Sequence, residues 1–460
     1  MSKGIDELIP ARGQRAVLNR RRFLGASAGL AAGAAGYISI GNGSEREESG
    51  EPSQTETAAM EAKAYEFPPD HCQPNQASEH DEQLGIPFDS REQFGCAGIL
   101  LDGMEDLGPW QTYDGRFGPD SERVALGSQS AQLETIPPDG RVWAYRRFDS
   151  GLDLSNHDLS VVIHPGRGET KASMLRAQVL APDYQNRIDM RHGVGKLRGW
   201  FRMDLGPTVV KGHPDLTDVR ELRLQSLAGS QKRIQMNVDE LRLVPKASRG
   251  RVMLTFDDIP MSQYTEAFPR MNDRGFAGVA GAIPWKTSSP DYLSADQLRE
   301  LQNAGWDVVS HPQLTDPSRP LPTLSRAAQD DALRRSKQWL LDQGFERGAR
   351  FVIWPFNAAG ATTLDLGARY HALGFAGGWP PCGIPPTDPL TIGRVDGERV
   401  EQTLRMIEFA ERYNMFTVVM FHEVGPNGLP SGKFEQILEA VERADVTVVT
   451  ATDLWELMTE

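Results

Sequence analysis

The chain is poor in cysteine. Its 460 residues hold three, Cys72, Cys96 and Cys382. That is too few for a cysteine-rich zinc module and enough for one internal disulfide at most, for which Cys72 with Cys96 is the expected pair. Lysine is scarce too: arginine far outnumbers it, and 63 acidic against 49 basic residues give a formal net charge of −14. Nucleic acid is therefore excluded as an expected partner, and so acidic a surface would suit a salty medium. Long apolar runs are also missing. The nearest, Gly25 to Ile40, is rich in Gly and Ala and falls short of a membrane span.

That run has another reading. It follows Arg20-Arg21-Arg22-Phe23-Leu24, the layout of a twin-arginine export signal, so residues 1–40 are expected to direct the chain out of the cytoplasm, to the cell surface or beyond. If the signal is not cleaved, it would tether the chain to the membrane. Residues 41–65, dominated by Glu, Ser and Thr, read as a disordered linker. At this length two folded units are expected after it.

From 66 to 247 the pattern is short alternating runs broken by Gly, Pro, Asp and Asn, among them Val142 to Phe148, Leu159 to His164 and Ile234 to Val244. This predicts an all-β, jelly-roll-like sandwich. Its phrasing, with Trp110 ahead of Gly127-Ser128-Gln129-Ser130, then Gly199-Trp200-Phe201 and a closing Val238-Asp239-Glu240-Leu241, resembles the carbohydrate-binding modules attached to glycan-active enzymes. Trp110, Trp143, Tyr145 and Trp200 are candidates to stack on a sugar, although a Trp at strand spacing is more often core. Asp239 is a candidate ligand for a structural calcium.

From 248 to 460 the texture changes to alternating strands and helices. Strand-like runs at Val252 to Phe256, Gly278 to Ile283, Trp306 to Ser310, Phe351 to Trp354, Leu390 to Val395, Phe416 to Phe421 and Val446 to Thr450 alternate with amphipathic stretches such as Ala295 to Ala304, Leu364 to Leu373 and Val400 to Tyr413. That alternation predicts a parallel sheet closed, or nearly closed, into a (β/α) barrel. The first strand ends on Asp257 and Asp258. Two acids at a strand's C-terminal tip can cap the next helix, or can divide a site's labour between a metal ligand and a base.

Four phrases occur in a telling order: Thr255-Phe256-Asp257-Asp258, Gly305-Trp306-Asp307-Val308-Val309-Ser310-His311, Trp354-Pro355-Phe356 and Val418-Val419-Met420-Phe421-His422. Together they resemble the polysaccharide deacetylase family, carbohydrate esterase family four. The resemblance implies a distorted (β/α) barrel in which a divalent metal, zinc or another first-row ion, helps water remove acetyl groups from an acetylated polysaccharide or glycan. It implies Asp257 as general base, Asp258 and His311 as metal ligands, Phe356 as donor of an oxyanion-hole N–H, Arg394 as partner of the base and His422 as general acid.

One position departs from that pattern. The family's second motif has another histidine four residues after the first, and Thr315 stands there. Asp316 could replace it as a ligand, or serve only as the turn residue before Pro317; His371 is a further candidate. The expected function is an exported, metal-dependent deacetylase acting on N-acetyl or O-acetyl groups, with N-acetyl favoured. The alternative is a degenerate relative that binds surface glycans without turnover.

Overall fold

The computed structural model describes residues 67–68 and 97–459, except 167–173, 196, 198, 229–232, 315–317 and 378–380. The export signal, the linker, Cys72, Cys96, Thr315 and Asp316 lie outside the described residues.

Strands come first: β1 (Ile99–Asp102), β2 (Trp110–Tyr113), β3 (Arg116–Asp120), β4 (Ser130–Glu134), β5 (Arg141–Leu152), β6 (His157–His164), β7 (Met174–Leu180), β8 (Arg187–Gly193), β9 (Phe201–Leu205), β10 (Val209–Lys211), β11 (Val219–Leu227) and β12 (Gln235–Pro245). They form two antiparallel sheets, one ordered β3-β4-β12-β6-β9 with β1 also on β12, the other ordered β10-β8-β7-β11-β5-β2. Inward-facing residues such as Val142, Ala144, Val161, Ile163, Leu224 and Val238 share one buried core, as the two-residue period of a strand requires. Trp110 belongs to that core, 6% exposed, with its indole N–H on Asp102 Oδ2 at 2.7 Å. Trp200 is half-buried against the His164 ring. Trp143 and Tyr145 have the opposite parity to Val142 and Ala144 and lie on the sheet's other face, where Tyr113 stacks on Trp143 at 5.8 Å and the Arg176 guanidinium covers Trp143. Asp239 is fully buried and accepts the backbone N–H of Ala125 and Leu126 at 2.6 and 3.0 Å.

The second architecture begins at once with β13 (Gly250–Phe256), followed by β14 (Val279–Ala282), β15 (Asp307–Ser310), β16 (Phe351–Ile353), β17 (Leu373–Gly377), β18 (Ile392–Asp396), β19 (Phe416–Phe421) and β20 (Val446–Val448). All of their pairings are parallel. Seven close into a ring, because β13 pairs with both β14 and β19; β20 adds to β13 from outside the ring. β13 divides one edge between two partners. Thr255 and Phe256 pair with β14, while Gly250 to Val252 pair with β20.

Parity along these strands decides which side chains fill the ring. Val252, Leu254 and Phe256 pack outward with Val308, Val419 and Phe421 against the surrounding helices. Met253, Val279, Val309, Phe351, Ile353, Ile392, Phe416 and Val418 share a separate cluster inside. The strand Leu373–Gly377 was not expected; the helical reading ran on to Leu373, whereas the helix ends at Gly367. Gly374 there lies against the Trp354 indole, and a Cβ would come within 2.7 Å of its Nε1, so this strand is built on a small residue instead of a β-branched one.

The sandwich packs directly on the barrel. Its core continues into Val352, Trp354 and Leu390, and a Cβ on Gly206 would strike the Pro381 carbonyl oxygen. Two acids are trapped at this junction, Asp158 and Asp204, near Lys246, Asp388 and Cys382. Asp204 Oδ2 accepts the Thr387 N–H at 3.0 Å, but Asp204 Oδ1 and Asp158 Oδ2 have no hydrogen-bond partner among the described residues. Burial pushes both carboxyls up to about 7. An acid raised in the folded state takes up a proton on folding, so the stability these two acids contribute is fullest below the ordinary carboxylate range and is lost as pH rises through about 7. Asp204→Asn, which can still accept from Thr387, is expected to flatten that fall and raise the melting temperature at pH 8. Each pKa unit is worth about 1.4 kcal/mol, so thermal unfolding across pH 4 to 8 should resolve the difference.

Candidate active site

The inward parity of each barrel strand carries on into its C-terminal tip. Met253 and Thr255 lead to Asp257, Val309 to His311, Ile392 to Arg394, and Phe416, Val418 and Met420 to His422. Five sequence-predicted residues, Asp257, Asp258, His311, Arg394 and His422, therefore meet at one mouth of the barrel, where parallel-strand barrels build their chemistry.

Arg394 is 1% exposed and Asp257 4%. The guanidinium forks onto the carboxylate, Nη1 donating to Oδ1 at 2.6 Å and Nη2 to Oδ2 at 2.9 Å. Two parallel charge-assisted bonds fix both planes. Arg394 also donates to Thr255 Oγ1 at 3.2 Å and to Asn357 Oδ1 at 2.5 Å. Burial alone would raise the Asp257 carboxyl; the Arg394 charge and hydrogen bonds, with His311 and His422 nearby, hold it below its ordinary value. His422 reaches Asp257 Oδ2 with Nε2 at 4.0 Å, and its side chain is 38% exposed, open to a bound molecule.

Asp258 breaks the strand with φ of 72°, and Ile259 follows at 50°. Left-handed backbone at a β-branched residue is strained and persists only where its surroundings enforce it. The turn swings the Asp258 carboxylate towards His311, whose Nε2 lies 3.5 Å from Oδ1. His311 Nδ1 sits 2.8 Å from the Ile353 carbonyl oxygen; a carbonyl only accepts, so Nδ1 carries a proton, and a second proton on Nε2 makes the ring the imidazolium that faces the acid, a form that burial opposes and Asp258 and Asp257 favour. Burial would raise Asp258, yet the His311 hydrogen bond and charge, then Lys286 and His422, hold it far below the carboxylate range.

Phe356 lies in a turn, Pro355–Asn357, directly after β16. Its φ of 61° and that of Asn357, 54°, turn the backbone, and the Asn357 bond to Arg394 anchors this turn to the Asp257–Arg394 pair. Trp354 faces away, its indole N–H on the Leu390 carbonyl at 2.7 Å. His371 cannot join the site. It precedes β17, beside Lys337 and the start of β16, a full strand of roughly 15 Å from the tips that carry the acids.

Sequence reasoning missed three residues here. Gln263 is fully buried and its amide N–H₂ donates to the carbonyls of Asp257 at 2.7 Å and His422 at 3.0 Å. It clasps the tips of β13 and β19. Asn357 orients Arg394. Lys286 places its ammonium 3.2 Å from Asp258 Oδ1. None belongs to a recurring motif, and only their position after a barrel strand could have drawn attention to them.

Among the described residues, which leave out Asp316, the donor set is incomplete for a first-row divalent ion. Asp258 and His311 converge, but an ammonium already shares the carboxylate oxygen they would offer, and among the described residues no three His, Cys, Asp or Glu side chains come together.

Residues 245–374 match the family model described as Polysaccharide deacetylase. No curated protein sequence matches the chain. Among solved structures it is similar to the Streptococcus pyogenes deacetylase PplD in complex with acetate, at 22% identity and a TM-score of 0.29, covering 31% of this chain and 62% of that one, less than two thirds of its length. It is also similar to a family 4 carbohydrate esterase from Streptomyces lividans in complex with acetate, at 16% identity over 43% and 88% of the two chains, TM-score 0.30. A family 11 carbohydrate-binding module from Clostridium thermocellum in complex with a mixed-linked tetrasaccharide matches at 13% identity over 32% and 94%, TM-score 0.25.

Gln263→Met keeps the side chain's length but leaves two strand-tip carbonyls unpaired. It is expected to lower the unfolding free energy by about 1–3 kcal/mol, read as a shifted midpoint in urea at unchanged slope.

Proposed function

We propose that the chain is a hydrolase that removes acetyl groups from a polysaccharide or other glycan, N-acetyl rather than O-acetyl. The observation that carries this is the buried Asp257 carboxylate, forked by Arg394 and facing the half-open imidazole of His422 at 4.0 Å. A base fixed on one side of a site and an acid on its open side are what amide hydrolysis asks for; a glycan binder needs neither. The match of residues 245–374 to a deacetylase family model supports the same reading.

Asp257 takes a proton from water as the water oxygen bonds to the acetyl carbon. The carbonyl oxygen becomes an oxyanion, for which the Phe356 backbone N–H is the proposed donor. When the carbon–nitrogen bond breaks, the proton supplied by His422 leaves with the amine, and acetate remains. Arg394 keeps Asp257 anionic and aimed. No step here is routed through a divalent ion; among the described residues only Asp258 and His311 converge as ligands for one.

The sandwich is proposed to hold the glycan. Tyr113, 41% exposed and backed by the buried Trp143, lies beside Tyr145 and the Arg147 guanidinium over it, and gives an aromatic face with hydrogen-bond donors at its edge, suited to a sugar ring. The twin-arginine layout is proposed to export the protein to the cell surface or beyond, with a membrane tether if the signal stays.

Acetate release from N-acetylated and O-acetylated glycans tests this. Asp257→Asn is expected to remain folded and to lose turnover by a factor of about 10³ or more; full activity in that variant would sink the assignment. Because Asp257 is held below its ordinary value, the acid limb of kcat/KM should lie below pH about 4. Arg394→Met leaves burial opposed only by His311 and His422 and should move that limb upward. A folded wild-type protein that binds glycans and releases no acetate would instead be a binding scaffold.

A further inference from the structure

We propose that Lys286 supplies, from the chain itself, the positive charge that a divalent ion would otherwise supply at Asp258. The inference rests on the hydrolase reading above and concerns the same mouth of the barrel.

Lys286 is held there by the fold. It follows β14, the strand paired on one side with β13, whose tip carries Asp258, and on the other with β15, whose tip carries His311. The turn Pro284–Ser288 sets its backbone, the Lys286 N–H donating to the Ile283 carbonyl and its own carbonyl accepting from Ser289. Its side chain is only 11% exposed, unusual for a residue type that normally keeps its charge in water. The ammonium has two stabilising neighbours: Asp258 Oδ1 at 3.2 Å and the Tyr292 ring, 4.5 Å from its centroid. Lysine is scarce in this chain, yet one of the few is buried at the candidate site.

This placement and the departure at position 315 account for each other. A histidine is missing where the resemblance implies a ligand, and an ammonium lies on the oxygen which that metal would have used. A dication drawn to Asp258 would meet a like charge on the same carboxylate, and only two donors of the described set to hold it. The roles then change. Asp258 becomes the anchor that neutralises and aims Lys286, and His311 fixes the other side of that anchor. Lys286 keeps further N–H donors beyond the one on Asp258, and these are assigned to the acetyl oxygen where negative charge develops. It lowers the cost of that charge as a metal would, and Asp257 can stay the base although its carboxyl is held down.

The test is a Co²⁺ titration of the full chain, purified without a metal-affinity tag, followed by calorimetry and by the visible absorption of bound cobalt, beside acetate release with and without chelator. The wild type is expected to bind no Co²⁺ below roughly millimolar concentration and to release acetate equally well in chelator. Lys286→Met should bind Co²⁺ about tenfold more tightly, since a like charge has gone, and lose acetate release by a factor of about 100 or more; Lys286→Arg should recover part of that loss. One Co²⁺ bound per wild-type chain at micromolar Kd, lost in Asp258→Asn, with acetate release stopped by chelator, would overturn the proposal. If Lys286→Met does not fold, the wild-type titration and chelator arms still decide. Failure of the hydrolase reading looks different: no acetate from the wild type under any condition, while the cobalt titration still reports whether the ammonium holds the site.

Discussion

The buried pair of Asp257 and Arg394 is the constraint from which the rest of the site follows. Neither charge could sit alone inside a ring of Met253, Val418, Phe416 and Ile392; an unpaired ion there would cost several kcal/mol. The pair is tolerated because both Nη atoms are fully used, Thr255 and Asn357 taking the two N–H groups that the carboxylate does not; Arg394 Nε has no hydrogen-bond partner among the described residues. The Asn357 bond fixes the turn after β16 and so the proposed oxyanion donor. Gln263 ties the same strand tip to His422. One ion pair thus links four separate strand ends, and the accuracy of the site is inherited from a rigid barrel.

Much of the barrel was legible because it is written in parity. Short apolar runs, buried on both faces, marked most strands, and the two-residue period explains why Asp257, His311, Arg394 and His422 all face one mouth. Leu373–Gly377 escaped because Gly374 yields space to Trp354 and Gly377 to Asn357, a demand of tertiary packing that no local pattern carries. In the sandwich, alternation marked the strands but could not separate Trp110, buried on Asp102, from Trp143 on the opposite face. That difference depends on which side of a strand meets the second sheet.

The site was legible where its residues form ordered phrases and illegible where they stand alone. Lys286, Asn357 and Gln263 act through geometry set by the strands before them. His371 failed for the converse reason. Histidine is a ready ligand type, but this one precedes its strand instead of following it, and in a parallel barrel the two ends are different places.

The forked edge of β13 has a kinetic meaning. The ring closes through β19 and β14, and the clasp between the Asp257 and His422 tips joins Gln263 to a residue 159 positions later. The fork to Arg394 spans 137 positions. Contacts of such separation form late, after loop-closure entropy has been met over most of the barrel. A chain still emerging from the ribosome has Asp257 and Asp258 but neither Arg394 nor His422. Base and acid first meet when the barrel is almost complete, so the proposed chemistry is absent throughout synthesis and switched on only by the last steps of folding.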